Sequence, residues 1–358
     1  MKIALIHDYL VAYGGAEKVF KVLADIFPEA EIYTLFYDPK IKKQFFPNKI
    51  VHTSFLQKFP LFLRKKYQML LPLLPIAVET MDFREFDVVI SATHSFAKGI
   101  ITRPKTTHIC YCYSPTRYLW DKARRNFLLH YFRVWDRQAS ERVDHFIAVS
   151  KTVQQRIKKY YKRESIVIYP PVEIHPVIRQ GAPSNDGANS NREYYLIVSQ
   201  LRKYKRIDLA VEAFNKLGLE LVIIGEGPEK RELKAKTEKN IRFLGWQPDE
   251  TVAEYYRDCT AFIFPSEDDF GIAPVEAMSW GKPVLAFRKG GATETIIEGK
   301  TGEFFDYQNA AVLADGIRRL RQNLKNYDPK FISQHAQKFS RERFEKEFKN
   351  IIDKLIKV

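Results

Sequence analysis

A chain of 358 residues with 45% hydrophobic residues exceeds the length that one hydrophobic core usually serves, so two domains are predicted. A net charge of +15 favours a polyanionic partner, which could be a nucleic acid, an anionic membrane surface or a phosphorylated small molecule. Cys110, Cys112 and Cys259 form no disulfide ladder and no apolar run reaches the roughly 20 residues of a membrane span, which predicts a soluble, cytoplasmic protein.

The first half of the chain alternates short apolar runs with a helical pattern. Strands are predicted at KIALIHDY, EIYTLFY, FDVVISAT, THICYCY and DHFIAVS, and a helix is predicted at GGAEKVFKVLADIF. Continuous apolar strands that alternate with helices indicate a parallel sheet that is covered on both faces.

The same alternation begins again near residue 194. Strands are predicted at EYYLIVS, LELVIIG, IRFLG, TAFIFPS and PVLAF, and helices at RIDLAVEAFNKLG and GIAPVEAMSWG. Residues 171–192 are rich in Pro, Gly, Ser and Asn, which predicts a linker and loop between domains at 1–170 and 193–335. Residues 336–358 contain a predicted amphipathic helix.

Ligands of doubly wound sheets bind at the carboxyl ends of the strands, against helix N-termini. Gly14 and Gly15 follow the first strand, where a backbone without side chains could approach a phosphate or could form a plain turn. The segment LRKYKR offers cations at residues 202–206 that could hold a diphosphate or form a solvated loop. A nicotinamide enzyme should show a complete Gly-x-Gly-x-x-Gly, and an NTPase a Walker A pattern; the chain contains neither.

Three segments together resemble the retaining enzymes of glycosyltransferase family 4. They are FPSEDDFGIAPVEAMSWGKPVLAF, SKTVQQRIKKYYKRESIVIYPPVE and LRKYKRIDLAVEAFNKL, and the similarity is closest to bacterial mannosyltransferases that build O-antigen and other surface glycans. The resemblance implies the α/β GT-B fold, with two facing Rossmann-like, doubly wound domains and an interdomain cleft. It further implies an acceptor-side domain at 1–170, a nucleotide-sugar domain at 193–335 and a C-terminal helix that crosses back onto the first domain.

The resemblance also assigns the donor site. The family's Glu-x7-Glu motif falls on Asp268 and Glu276, so Asp268 would orient hydroxyls of the transferred sugar and Glu276 would accept hydrogen bonds from the ribose. Phe270 lies between the two acids, and Gly271, Ile272 and Ala273 would offer backbone N–H groups to the diphosphate. The base would be read near Leu244 to Asp249, where Trp246 and Gln247 lie. A simple N-cap cluster of acids at the positive end of a helix dipole is compatible with the same residues.

Three positions depart from the family pattern. Asp268 is one methylene shorter than the usual Glu, so Glu267 could substitute for it. The diphosphate-binding Arg and Lys of the family fall on Gln200 and Lys205, and Arg202 would supply the lost charge. A His that often lies near the sugar is replaced by Tyr113, which leaves His94 as a further catalytic candidate or as a structural histidine.

The resemblance implies a retaining transferase without a protein nucleophile. The leaving group would be stabilised by Lys205, Arg202 and helix N-termini, and the absence of any Asp-x-Asp predicts that no metal and no separate cofactor is used. GDP-mannose is the expected donor and a lipid-linked or surface glycan the expected acceptor. A UDP-glucose or UDP-N-acetylglucosamine enzyme and a non-catalytic basic membrane-binding protein remain alternatives, and no nucleic-acid motif occurs.

The acceptor side is less specific. Apolar residues at helical spacing with basic neighbours in residues 55–75 predict a helix, which would either dock on an anionic membrane or pack on the first domain with a basic rim. Arg117 and Trp120 are possible acceptor contacts, although a tryptophan in this position is also typical of a core.

Overall fold

The computed structural model describes residues 1–121, 127–175 and 193–356, and these divide into two compact units. Met1–Pro171 and Phe344–Val358 form the first unit, whereas Val172–Arg343 form the second. Most of the predicted linker, residues 176–192, lies outside the described residues.

The first unit is built on a parallel sheet. Its strands are β1 Ile3–His7, β2 Glu31–Thr34, β3 Val51–Thr53, β4 Val88–Thr93, β5 Thr107–Cys112, β6 His145–Ala148 and β7 Ser165–Val167. In the described part of this unit they lie in the order β3-β2-β1-β4-β5-β6-β7. The sequence analysis did not predict β3 and β7, because each has three residues at an edge of the sheet and lacks a continuous apolar run.

Helices cover this sheet. They are α1 Gly15–Ile26, α2 Pro39–Phe45, α3 Leu61–Lys65, α4 Leu74–Glu79, α5 Arg117–Trp120, α6 Phe127–Glu141 and α7 Lys151–Arg156. The π-helical turn Ile157–Tyr161 continues α7. The described helices include none that is both long and apolar enough to cross a bilayer.

Residues 55–75 do not form the single helix that their apolar spacing predicts. The segment divides into a 3-10 helix at Phe55–Lys58, α3, a 3-10 helix at Tyr67–Leu73 and the start of α4. Prolines lie at or near the breaks between these short helices: Pro60 precedes α3, Pro72 lies inside the second 3-10 helix, and Pro75 lies in the first turn of α4. Because proline lacks an N–H and clashes with the preceding turn, one continuous α-helix cannot form here.

The second unit contains a second parallel sheet. Its strands are β8 Tyr195–Val198, β9 Leu221–Ile224, β10 Ile241–Gly245, β11 Ala261–Phe264, β12 Val284–Phe287 and β13 Gly302–Phe305. They lie in the order β10-β9-β8-β11-β12-β13 within residues 193–356. The predicted α/β class with two doubly wound, parallel sheets is therefore confirmed.

The helices of the second half follow the same alternation. They are α8 Ile207–Leu217, α9 Lys230–Ala235, α10 Asp249–Asp258, α11 Ile272–Ser279, α12 Ala292–Thr295, α13 Ala310–Asn323, α14 Pro329–Ala336 and α15 Arg341–Ile356. In β8 and β11, which are direct neighbours, the carboxyl ends lie at the same edge of the sheet. The loops that follow these two strands are therefore brought together.

The last helix, α15, begins at Arg341, within the predicted amphipathic segment 336–358. The hydroxyl of Ser340 accepts the backbone N–H of Arg343 at 3.2 Å and so satisfies one of the free donors of the first turn. From Phe344 onward the helix belongs to the first unit, where Phe344 and Phe348 are fully buried. Their ring centroids lie 5.7 and 5.8 Å from that of Tyr111.

Candidate active site

The loops after β8 and β11 bring a lysine and an aspartate together in the second unit. The Nζ atom of Lys205 donates to Oδ2 of Asp268 at 2.5 Å, and the two side chains are only 16% and 18% exposed. Lys205 closes the short 3-10 helix Lys203–Lys205, and Arg206 then adopts a left-handed conformation with φ of +54° at the start of α8. This ion pair is a partly desolvated cation and anion at the ligand-binding edge of the sheet.

Glycines shape the turn between Asp268 and α11. Gly271 has φ of +87°, a left-handed conformation that residues with a side chain rarely adopt, and it directly precedes the helix. Gly290 has φ of +68°, and a Cβ atom there would lie 2.2 Å from the backbone oxygen of Asp268. The backbone of the loop after β12 is thus packed directly against the Asp268 loop.

The residues between the two acids have different surroundings. The side chain of Phe270 is buried, 5.6 Å from the ring of Phe339, so it anchors the loop and leaves only its backbone for a ligand. Ile272 and Ala273 form the first turn of α11, whose N–H groups have no partner within the helix. Glu276 is the fifth residue of α11, and its Oε2 accepts the hydroxyl of Tyr256 at 2.9 Å.

The other residues predicted to bind the nucleotide sugar make contacts away from the Lys205–Asp268 ion pair. Nε of Arg202 donates to Oε1 of Gln200 at 3.2 Å, and both residues are exposed. The ring of Trp246 follows β10 and is 67% exposed. The side chain of Gln247 donates to the backbone oxygen of Leu244 at 2.8 Å, which fixes the turn that presents Trp246.

A second polar cluster lies at the carboxyl ends of β1 and β4 in the first unit. Asp8 is fully buried and its carboxylate accepts hydrogen bonds from the hydroxyl of Thr93 and from the backbone N–H groups of His94, Phe96 and Ala97, at 2.7 to 3.0 Å. Burial opposes ionisation, but the nearby His94 and His7 and the backbone donors outweigh it, so the pKa of Asp8 is lowered. The loop after β4 is wrapped around one carboxylate.

His94 is held by this cluster on both of its nitrogens. Its Nδ1 lies 3.3 Å from Oδ2 of Asp8, and its Nε2 lies 3.0 Å from the hydroxyl of Tyr9. The side chain is 36% exposed, so an oriented imidazole edge reaches the surface of the first unit. Burial raises the pKa of Tyr9 well above its usual value, so Tyr9 is a neutral phenol that can donate to His94.

The predicted phosphate-binding glycines lie next to a partly buried glutamate, Glu17. The N–H of Gly14, the N-cap of α1, donates to Oε2 of Glu17 at 2.9 Å, and because glycine has no side chain this is only one half of a capping box. Oε1 of Glu17 lies 3.6 Å from Nε2 of His7. The backbone at Gly14 was predicted to approach a phosphate. In the structure its N–H is bonded to the side chain of Glu17, a residue of α1.

Tyr113 has a positioning contact in place of a free hydroxyl. It donates to the backbone oxygen of Ala16 at 2.9 Å, and its ring packs edge-on against His7 with centroids 6.1 Å apart. Burial raises the pKa of Tyr113 well above its usual value, so its hydroxyl stays protonated at neutral pH. The Tyr113 hydroxyl ties β5 to the start of α1.

The two possible acceptor contacts differ in their surroundings. Nε1 of Trp120 donates to Oδ2 of Asp136 at 2.7 Å, and Asp136 also accepts from the buried ammonium of Lys98 at 2.5 Å. Arg117 is partly exposed and lies 3.2 Å from Asp121. Trp120 is thus a half-buried structural residue, whereas the partly exposed guanidinium of Arg117 is paired with Asp121.

Known protein families match both halves of the chain. The family model described as Glycosyltransferase Family 4 matches residues 13–175, and the one described as Glycosyl transferases group 1 matches residues 180–338. The chain belongs to the family 4 glycosyltransferases, with the GT-B fold. The family predicted from the sequence motifs is confirmed.

Two curated relatives and one solved structure illustrate the similarity. An uncharacterized glycosyltransferase of Methanocaldococcus jannaschii is 28% identical over 53% of this chain and 53% of its own length. O-antigen chain mannosyltransferase C of Escherichia coli is 25% identical over 57% of this chain and 54% of its own length. The matches thus span about half the length of these two relatives.

The solved structure is that of Anabaena HepE in complex with UDP-glucose. It is similar with a TM-score of 0.74 at 18% identity, over 99% of this chain and 100% of that one. At this identity the likeness shows a shared fold.

Several residues of these two clusters were not predicted as site residues from the sequence. His7 and Asp8 stand at the end of the first predicted strand, and polar residues at the end of a buried strand point to the ligand-binding edge of the sheet. Glu17 could have been predicted, because an acid in the first turn is favoured by the positive end of the helix dipole. Tyr256 has no local signal, because its partner is 20 residues away along the chain.

Proposed function

We propose that the protein is a retaining, metal-independent glycosyltransferase that transfers mannose from GDP-mannose to a lipid-linked or surface-polysaccharide acceptor. The main support is the arrangement in the second unit, where the Lys205–Asp268 ion pair lies beside the glycine that begins α11, with Glu276 about one turn further along that helix. The resemblance assigns Lys205 to the diphosphate and Glu276 to the ribose, and Asp268 stands where the motif usually has its first Glu.

The proposed chemistry is electrostatic. A departing nucleoside diphosphate develops negative charge, which Lys205 and the N-terminus of α11 would stabilise. Lys205 has three N–H donors, so it can keep Asp268 in place while it also binds a phosphate oxygen. Asp268, held by this contact, would in turn orient hydroxyls of the sugar.

The proposal includes no metal, because the chain contains no Asp-x-Asp pair and offers cationic side chains instead. Addition of EDTA should leave the initial rate unchanged. A rate that disappears with EDTA and returns only with Mg²⁺ or Mn²⁺ would contradict this part of the proposal. Retention is checked separately by NMR, which distinguishes the two anomers of the product.

Mannose as the sugar rests on the sequence resemblance and on the similarity to an O-antigen mannosyltransferase. A UDP-sugar donor is the second candidate, because HepE, with the same fold, is solved with UDP-glucose. The exposed ring of Trp246 could stack on either a purine or a pyrimidine, so this residue does not separate the two.

Calorimetric titration with GDP, UDP, ADP and their sugar conjugates tests the function. We expect GDP and GDP-mannose to bind selectively, Glu276→Ala to lose that binding, and the control Glu212→Ala, an exposed acid of α8, to keep it. Selective binding of UDP would replace the donor and keep the enzyme class. Absence of binding to all nucleotides would overturn the function and favour a non-catalytic membrane-binding protein.

A peripheral contact with anionic membrane is part of the proposal for a lipid-linked acceptor. Three apolar side chains of the segment after β3 are more than half exposed, namely Phe62, Met69 and Ile76, and Lys66 beside them is also exposed. An apolar surface with basic neighbours is typical of proteins that lie on anionic bilayers.

Co-sedimentation with phosphatidylglycerol vesicles tests this contact. Phe62→Ser with Met69→Ser should reduce vesicle binding about tenfold, since each removes an apolar side chain from the membrane interface. Ile166→Ser is the control, because Ile166 is similarly apolar and exposed but lies on β7, at the opposite edge of the sheet from β3. Equal loss in both variants would count against a local docking surface.

A further inference from the structure

Tyr256 lies outside the family motif and makes a direct hydrogen bond to its second acid. It lies in the last turn of α10, it is 3% exposed, and its hydroxyl reaches Oε2 of Glu276 on α11 at 2.9 Å. Its ring packs against Phe262 of β11 with centroids 5.6 Å apart. A rigid, buried ring thus carries one polar atom to the motif carboxylate.

The protonation state of this phenol is fixed by its surroundings. Burial and the neighbouring Glu276 carboxylate both raise the pKa of Tyr256 well above its usual value. The hydroxyl therefore stays protonated at neutral pH and donates its hydrogen to Glu276. Hydrogen bonds to a charged group are stronger than those between neutral groups, so this contact restrains the carboxylate.

The contact leaves Glu276 capable of further binding. A carboxylate offers about four acceptor positions, of which Tyr256 occupies one, and Glu276 is only partly buried. Glutamate has three rotatable side-chain bonds and loses conformational freedom when its carboxylate must bind a ligand in one orientation. A protein group that holds the carboxylate beforehand reduces this cost.

We propose that Tyr256 is a positioning residue for donor recognition, which fixes the Glu276 carboxylate so that it accepts the hydroxyls of a nucleoside diphosphate's ribose. The inference rests on the proposed function and deepens it. It predicts that discrimination between ribose and deoxyribose depends on a tyrosine that does not itself touch the ligand.

The test compares three variants of the full chain: Tyr256→Phe, Glu276→Gln and a control, Tyr327→Phe. Tyr327 is 7% exposed in the same unit, and its hydroxyl donates to a glutamate, Glu303, at 2.8 Å. Tyr327→Phe therefore removes the same kind of buried contact away from the motif. Thermal melting of each variant verifies that it is folded.

The measurement is the ratio of dissociation constants for 2′-deoxy and ordinary nucleoside diphosphate, taken with GDP and with UDP by calorimetry. We expect the parent and Tyr327→Phe to prefer ribose by about tenfold or more, and Tyr256→Phe and Glu276→Gln to lose most of that preference. In steady state, Tyr256→Phe should raise the donor KM severalfold and change kcat little, and combining it with Glu276→Gln should add little further loss.

Other outcomes separate the role of Tyr256 from the proposed function. If Glu276→Gln loses the ribose preference and Tyr256→Phe keeps it, Tyr256 is merely structural and the inference is overturned while the proposed function stands. The inference is likewise overturned if the parent binds nucleotides without distinguishing ribose from deoxyribose. If the parent binds no nucleotide, the proposed function fails, and the inference fails with it.

Discussion

The polar clusters of the two units use charged residues in opposite ways. In the first unit Asp8 is fully buried and surrounded by donors of its own loop, so its charge organises the protein. In the second unit Lys205 and Asp268 are partly exposed and face each other across two loops. The first cluster is thus built mainly for stability and orientation, whereas the second retains groups that a ligand can engage.

The largest expected effect is on catalysis, and it distinguishes the ion-paired Lys205 from an exposed lysine of the same loop. Lys205→Ala should reduce kcat/KM with the nucleotide sugar about 1000-fold, because it removes the cation proposed to stabilise the leaving diphosphate. Lys203→Ala, which removes an exposed lysine two residues away, should leave kcat/KM within about twofold. Initial rates decide this, and a loss below tenfold for Lys205→Ala would contradict its assigned role.

The next effect concerns stability in the first unit. Asp8→Asn should lower the free energy of unfolding by about 3 kcal/mol, because the amide replaces an acceptor that is surrounded by buried donors. Asp82→Asn, at an exposed acid paired with Arg84, should change it by less than about 0.5 kcal/mol. Urea unfolding measures both values, and similar losses in the two variants would remove the contrast between a buried and an exposed carboxylate.

Gly290 allows a matched test of backbone packing beside Asp268. Gly290→Ala should destabilise the protein by about 2 to 3 kcal/mol, because its φ of +68° is strained for alanine and the new Cβ meets a backbone oxygen. Gly299→Ala shares the conformational strain, with φ of +73°, but meets nothing within 4 Å and should lose only about 1 kcal/mol. Equal losses in urea unfolding would mean that close packing against Asp268 contributes nothing.

The smallest effect is the pH dependence of stability that Asp8 contributes. Its pKa is lowered on folding, so the unfolded chain binds more protons between the folded and unfolded pKa values. The stabilisation is present above the ordinary carboxyl pKa near 4 and is lost as pH falls through the folded value, at about 1.4 kcal/mol for each pKa unit. The unfolding free energy of Asp8→Asn should therefore fall less between pH 6 and pH 3 than that of the parent.

The motif at Asp268 and Glu276 could be found from the sequence through its resemblance to the family, because its residues lie close together along the chain. A left-handed Gly271 before a helix, with an acid on either side, leaves a local pattern. The doubly wound fold was predictable for a similar reason, since buried parallel strands are continuous apolar runs. Residues 55–75 show the limit of this reasoning, because helical spacing there is overridden by three prolines.

The rest of the candidate site depends on contacts between distant residues. Asp8 meets the loop at 93–97 only because β1 and β4 are neighbours in the sheet, and Tyr256 meets Glu276 only after α10 and α11 pack. No local periodicity encodes such pairs. A single sequence therefore indicates Glu276 as a motif acid but does not indicate Tyr256, the residue that we propose positions it.

The return of α15 to the first unit has a consequence for synthesis of the chain. Tyr111 is made early, but Phe344 and Phe348, which pack against it, are added more than 230 residues later. During synthesis of the second sheet, part of the apolar surface of the first unit, around Tyr111, therefore remains uncovered. The nascent first unit should bind chaperones that recognise exposed apolar surface, and release from them should coincide with emergence of the last helix.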